Sequence, residues 1–282
     1  MKLNRYVARI FGRLKILDNH LFTMKREVHG RSWNLPILDR AGLDYAHDNS
    51  EKWIYEILRR IQQIKPIHTF LDVGVNNGQT LIKIKSLSSE VNYIGFEPNV
   101  NCVYYSSLLT ELNQLTNVQI SAIGLGDKND WATFKAYAPT DARGTLVSDK
   151  ISSQDAGLER KVPVFKLDDI GIDLNPDKLN ILKIDVEGFE LNVVQGAKDV
   201  IKKFEPVVLF EVLPYTNEVE KSTAQELYDT IVGLGYDVFQ INTKTSDIAP
   251  VKTVVTKEIT GEYDFIGIPN SQKSVYSSLQ NS

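Results

Sequence analysis

The sequence predicts an α/β protein with a mainly parallel sheet covered by helices on both faces. Three observations predict it. From residue 50 onward, short apolar runs alternate with segments of helical periodicity. Several runs, such as IHTFLDV, LNILKID and PVVLFEV, are apolar at nearly every position, as strands buried on both sides must be. A glycine turn follows the first run, at the kind of strand-to-helix junction where open α/β sheets meet their ligands.

Residues 1–17 place Leu3, Tyr6, Val7, Ile10, Phe11, Leu14 and Leu17 at three-to-four spacing, with Lys2, Arg5, Arg9, Arg13 and Lys15 between them. This segment reads as a basic amphipathic helix, either resting on an anionic membrane surface or partner, or packed on the body of the protein. Residues 18–48 show no clear period and read as irregular structure with turns near Gly30 and Pro36. Residues 1–50 are therefore taken as an N-terminal extension to a domain spanning 51–270. Asn49 and Ser50 are suited to cap a helix whose apolar face is Trp53, Ile54, Ile57, Leu58, Ile61 and Ile64, and Pro66 ends it. Strands are expected at 67–73, 91–97 and 117–123, with helices near 78–87 and 99–114 between them. WATFKAY (131–137) and KVPVFKL (161–167) read as an extra strand pair. The insertion loop 138–162, rich in Ser, Gly, Asp and Lys, reads as a lid, a binding loop or a disordered segment. Further strands follow at 179–185, 206–212, 236–242 and 263–269, with a helix containing Leu191, Val194 and Ile201 and another around 222–234. Residues 271–282 form a polar tail, expected to fray.

Composition narrows the function classes. With 32 Lys and Arg against 36 Asp and Glu, the net charge is −4, which argues against a nucleic-acid binder working by wholesale phosphate neutralisation. Hydrophobic residues at 42% and charged residues at 24% exclude a disordered or fibrous chain. The one cysteine, Cys102, cannot form an internal disulfide, and no run approaches a membrane-spanning length; both fit a cytoplasmic protein.

The glycine turn is Asp72-Val73-Gly74-Val75-Asn76-Asn77-Gly78. Glycines there let the backbone turn tightly and let a ligand approach. Asn76 stands where a dinucleotide fingerprint needs its second glycine, which counts against a nicotinamide-dependent oxidoreductase. Glu97 ends the next strand, 23 residues after Gly74, where an acid can accept hydrogen bonds from both ribose hydroxyls of an adenosine-containing ligand.

Asp72-Val73-Gly74-Val75-Asn76-Asn77-Gly78, then Phe96-Glu97-Pro98-Asn99, then Leu182-Lys183-Ile184-Asp185-Val186-Glu187-Gly188-Phe189-Glu190 with Gly196-Ala197, resemble the FkbM-type methyltransferases. The resemblance covers roughly residues 67–270. It implies a Rossmann-like, seven-stranded, mostly parallel sheet with an antiparallel last strand, a place that YDFIGIP suits. It also implies S-adenosylmethionine as cofactor. By the same resemblance Asp72, Gly74, Asn76 and Gly78 surround the methionine end of the donor, Glu97 its ribose, and Ala122 and Ile123 its adenine. The acceptor it implies is a small molecule or glycan, methylated on a hydroxyl.

Asp185, Glu187 and Glu211 gather three carboxylates at one sheet edge and are the candidate catalytic residues. The four histidines all precede the glycine turn, so a carboxylate, Asp185 or Glu187, is the preferred base. Crowded acids are expected to raise one another's pKa, and Glu187 could instead cap the following helix or bind Lys183. Asp185 and Glu211 could alternatively bind a divalent cation, although no metal-ligand spacing marks such a site. A non-catalytic adenosine-ligand binder of the same fold is the alternative function.

Overall fold

The computed structural model describes residues 22–38, 51–140, 144–147, 151–212, 218–254 and 264–280. The amphipathic segment 1–17 and the proposed caps Asn49 and Ser50 lie outside the described residues.

The main sheet has eight strands, one more than expected. Its members are β3 (Ile67–Val73), β4 (Asn92–Phe96), β5 (Val118–Ser121), β9 (Leu179–Ile184), β10 (Val207–Glu211), β11 (Tyr236–Ile241), β12 (Ile248–Pro250) and β13 (Asp264–Pro269). Their order is β12-β11-β13-β10-β9-β3-β4-β5. The run from β5 to β10 is parallel, and β13 is antiparallel to both β10 and β11, as anticipated for YDFIGIP. The additional strand β12 is a three-residue edge, antiparallel to β11 and closed by Pro250, too short to stand out as a periodic run.

The continuous apolar runs have a simple cause. Side chains alternate across a strand, so Phe70, Ile181 and Leu209 enter one core while Leu71, Leu182 and Phe210 enter the other. The first core is covered by α1 (Lys52–Ile64), α2 (Gln79–Leu87) and α3 (Val100–Leu112). The second is covered by α4 (Glu190–Gln195), α5 (Lys198–Phe204) and α6 (Glu218–Gly233). One helix was expected where α4 and α5 lie. The break falls at Gly196, where any Cβ would sit 1.8 Å from the carbonyl oxygen of Gly126. That contact holds the helix junction against the loop after β6 (Gly124–Leu125), which pairs in a separate three-stranded sheet with β7 (Asp130–Ala136) and β8 (Leu158–Phe165).

Two readings of the chain ends need correction. Residues 18–48 were expected to be irregular, yet β1 (Phe22–Val28) and β2 (Arg31–Ile37) form an antiparallel hairpin. Its two-residue turn uses His29 (φ 49°) and Gly30 (φ 73°), both left-handed as a tight hairpin requires. Pro36 lies within β2 and marks no turn. Phe22, Met24, Trp33, Leu35 and Ile37 alternate into the first core. The polar tail does not fray over its described part: Tyr276 and Leu279 are fully buried in the same core. Among the described residues no helix is long and apolar enough to cross a membrane.

Candidate functional site

The carboxyl ends of β3, β4, β9 and β10 surround a cavity of about 190 Å³. Gly74, Asn76, Glu97, Asp185, Glu187 and Glu211 all line it, so six of the ten sequence-predicted site residues meet there. Asp72, Gly78, Ala122 and Ile123 do not.

The glycine turn is shaped by two tight demands. Gly74 has φ 91°, and a Cβ on it would lie 1.9 Å from the carbonyl oxygen of Asp185. No residue with a side chain fits between these two strand ends. Asn76 sits at φ 50°, a left-handed conformation that asparagine tolerates better than most residues. This turn points the Asn76 amide at Glu97, whose Oε2 accepts it at 2.9 Å while Oε1 accepts the Asn99 amide at 2.8 Å. Glu97 is 6% exposed, and burial pushes its carboxyl up to about 7 against the pull of those two amides. A carboxylate has about four lone-pair sites, so two remain for a ligand in the cavity.

Asp72 does not line the cavity. It is fully buried below the turn, accepting from the Tyr93 hydroxyl at 2.5 Å and facing Lys183 Nζ at 3.5 Å. Gly78 starts α2 in a left-handed conformation. Ala122 is exposed and Ile123 packs on the second core; the next two residues, Gly124 and Leu125, line the cavity in their place.

Lys183 joins the two halves of the site. Its ammonium lies 3.0 Å from Asp185 Oδ2 as well as 3.5 Å from Asp72. Burial would raise the Asp185 carboxyl, but the Lys183 charge and hydrogen bonds from Lys183 and Glu211 outweigh it and hold Asp185 below its usual range. Burial first, and then the Asp185 charge, push the Glu211 carboxyl well above its ordinary value, opposite in direction to Asp185. Crowding therefore separates the two acids instead of raising both.

Glu187 adopts φ 57° and lines the cavity, while its carbonyl accepts the Thr145 hydroxyl at 2.9 Å. Glu187 does not cap the following helix; Glu190 instead ties down the loop before it, its Oε1 accepting the amides of Val186 at 3.1 Å and Gly188 at 3.0 Å. Burial pushes Glu190 up to about 7. Its place at the first position of α4, directly after the Asp185–Phe189 loop, is the signal that could have identified it. The inserted segment contributes a roof. Thr145 pairs by backbone with Lys135, and its neighbours Gly144 and Leu146 line the cavity. Further out, the side-chain amides of Asn99 and Asn101 donate to the Pro139 carbonyl at 2.8 and 3.0 Å. Glu51, which no motif marked, also lines the cavity and accepts Lys83 Nζ at 2.8 Å. Among the described residues no group of three or more His, Cys, Asp or Glu is placed to hold a metal ion. Between Asp72 and Asp185 the positive charge is the ammonium of Lys183.

This arrangement can be set beside known proteins. Residues 72–238 match the Methyltransferase FkbM domain. "Methyltransferase 1" of Beauveria bassiana (strain ARSEF 2860) is 25% identical over 144 residues, 46% of this chain. The matched part is 58% of that relative's length. Among solved structures, a methyltransferase FkbM from Methylobacillus flagellatus KT aligns with 14% identity and a TM-score of 0.48, over 81% of this chain and 53% of the other. A SAM-dependent methyltransferase from Aquifex aeolicus aligns with 12% identity and a TM-score of 0.42, over 79% and 94%. The domain match spans more than half of the chain and includes the glycine turn, Glu97 and the Asp185–Glu190 loop: the chain belongs to the FkbM methyltransferase family.

Proposed function

We propose that this protein transfers a methyl group from S-adenosylmethionine to a hydroxyl of a sugar, glycan precursor or natural product. The observation that carries the reading is the shared cavity. A turn and a buried acid suited to an adenosine ligand open onto the same space as the Asp185–Glu211 pair.

The residues present fit the donor. Gly74 and Asn76 give a turn without bulky side chains at the strand end, and Glu97 keeps two lone-pair sites for ribose hydroxyls. Gly124 and Leu125 supply an apolar wall. When bound, S-adenosylmethionine supplies a methyl group on a positively charged sulfonium, which becomes a neutral thioether as the methyl leaves.

The chain's own groups then handle the acceptor. Asp185, kept ionised by Lys183, accepts the hydroxyl proton. A depressed pKa makes it a weak base, which suffices because the hydroxyl becomes strongly acidic only as its oxygen bonds to carbon. Positioned proton transfer of this kind contributes roughly 10²–10⁴-fold. The hydrogen bond between Glu211 and Asp185 orients the Asp185 carboxylate. The roof segment around Thr145 and Leu146 excludes water from the reacting centre.

Thermal unfolding tests the reading. S-adenosylhomocysteine is expected to raise the melting temperature and NAD to leave it unchanged. The reverse pattern would remove the methyltransferase proposal.

A further inference from the structure

Two more cavities differ in charge: one adjoins the donor site, and the other adjoins the first through Trp53. The first, about 90 Å³, is lined by Glu51, Asp185, Glu211 and Asp264, with Lys183 on its inner wall. The second, about 320 Å³, is lined by Lys52, Arg59, Arg60 and Lys244 against Glu56 and Asp247. Trp53 lines both. We infer that the acceptor is a sugar carrying a phosphate or diphosphate group, its reacting hydroxyl in the acidic cavity and its phosphate in the cationic cleft beyond Trp53. This rests on the donor reading above and specifies the partner in the same reaction.

The acidic cavity shares Asp185 and Glu211 with the donor cavity, so a hydroxyl placed there meets the proposed base. Asp185, held ionised, suits a sugar hydroxyl because it accepts a hydrogen bond and offers no competing donor. The cavity offers a phosphate only Lys183, already paired with Asp72 and Asp185, so a phosphate needs a separate place.

The cleft provides one. Four cationic and two anionic side chains face it, in a protein whose net charge is −4. Arg59 Nε is held by Glu56 at 2.8 Å. Arg60 donates to the carbonyls of Ser246 at 2.7 Å and Leu279 at 2.5 Å, fixing the cleft wall to the turn after β11. Lys52 and Lys244 are exposed, and among the described residues neither makes an ion pair. These two ammonium groups are available to a phosphate. β11 runs parallel to β10, so the turn carrying Lys244 lies on the sheet edge that carries Asp185. Lys52 follows Glu51 directly in the chain, so the step from acidic cavity to cationic cleft is one residue of α1 and one indole ring.

Calorimetric titration of the 282-residue chain at low salt, with inorganic pyrophosphate as probe, tests the cleft. Pyrophosphate should bind, and the exposed double substitution Lys52→Glu/Lys244→Glu should weaken it about tenfold or more. Absence of binding to the unsubstituted protein, or equal affinity in the double variant, overturns the inference. Titrating S-adenosylhomocysteine into the same unsubstituted sample reports on the donor reading separately. Heat with S-adenosylhomocysteine and none with pyrophosphate removes the cleft alone, whereas no heat with S-adenosylhomocysteine removes the donor reading. Two further probes distinguish the sources of a diphosphate. Tighter binding of UDP than of pyrophosphate supports a nucleotide-linked sugar, and tighter binding of farnesyl diphosphate supports a lipid-linked one.

Discussion

Replacing Glu97 with glutamine isolates the charge of the proposed ribose acceptor while keeping its shape. In the protein both oxygens already hold backbone amides, at 2.9 Å from Asn76 and 2.8 Å from Asn99. Glutamine keeps one acceptor and turns an NH₂ group toward the other amide. Ribose hydroxyls lose a charged partner worth about 1.5–3 kcal/mol, so affinity for S-adenosylhomocysteine should fall about 10–150-fold. The pH dependence gives a second reading. Burial raises Glu97 from 4.5 to about 7. Keeping it ionised without a ligand therefore costs about 3 kcal/mol above pH 7, and this cost is relieved as pH falls through 7 toward 4.5. Ligand binding runs the other way, because hydroxyls donate to the ionised form. Affinity should be full above about pH 8 and about tenfold lower near pH 6, and the glutamine variant should lack that step. Isothermal titration across this range measures both. A variant within twofold of the parent, or one that keeps the step, would refute the ribose assignment.

Asp185→Asn should slow methyl transfer about 100-fold while changing donor affinity only a few-fold. Single-turnover transfer from labelled donor measures the first and titration the second; undiminished transfer excludes Asp185 as base. Gly74→Ala forces a Cβ against the Asp185 carbonyl at a φ of 91°, and should cost about 3 kcal/mol or more in urea unfolding. An unchanged midpoint would show that the two strand ends can separate freely. Tyr276→Ala should cost about 3–5 kcal/mol, like other large aromatic deletions from a core, if the C-terminal turns are part of the folding unit. A loss below about 0.5 kcal/mol, the size of an ordinary surface change, would place them outside it.

The strands around the site were legible because burial on both faces leaves few polar positions in β3, β9 and β10, and their bounds match the apolar runs to within about two residues. The hairpin of β1 and β2 was hidden by its composition. Thr23, Lys25, Arg26 and Glu27 dilute the alternation of Phe22 and Met24, and His29-Gly30 is a weaker turn signal than Asn-Gly. Pro36 suggested a break where the chain continues as strand. The site itself was legible where chemistry sits at strand ends, as with Gly74, Glu97 and Asp185. That Asp72 does not line the cavity could not be read, because sequence spacing places a residue on a strand without saying which buried partner its side chain meets; here it is Lys183. Glu51 escaped notice because it reaches the cavity only through the tertiary placement of α1.

The hairpin carries a practical consequence for anyone isolating the active unit. The domain match begins at residue 72 and ends at 238, whereas the hairpin carrying Trp33, Leu35 and Ile37 packs against α2 and α3, and β13 is wedged between β10 and β11 from outside that interval. A gene fragment trimmed to the matched stretch would uncover the apolar sides of α2 and α3 and leave a gap in the sheet. Homology limits and folding limits are different borders in this molecule, and expression work should respect the second.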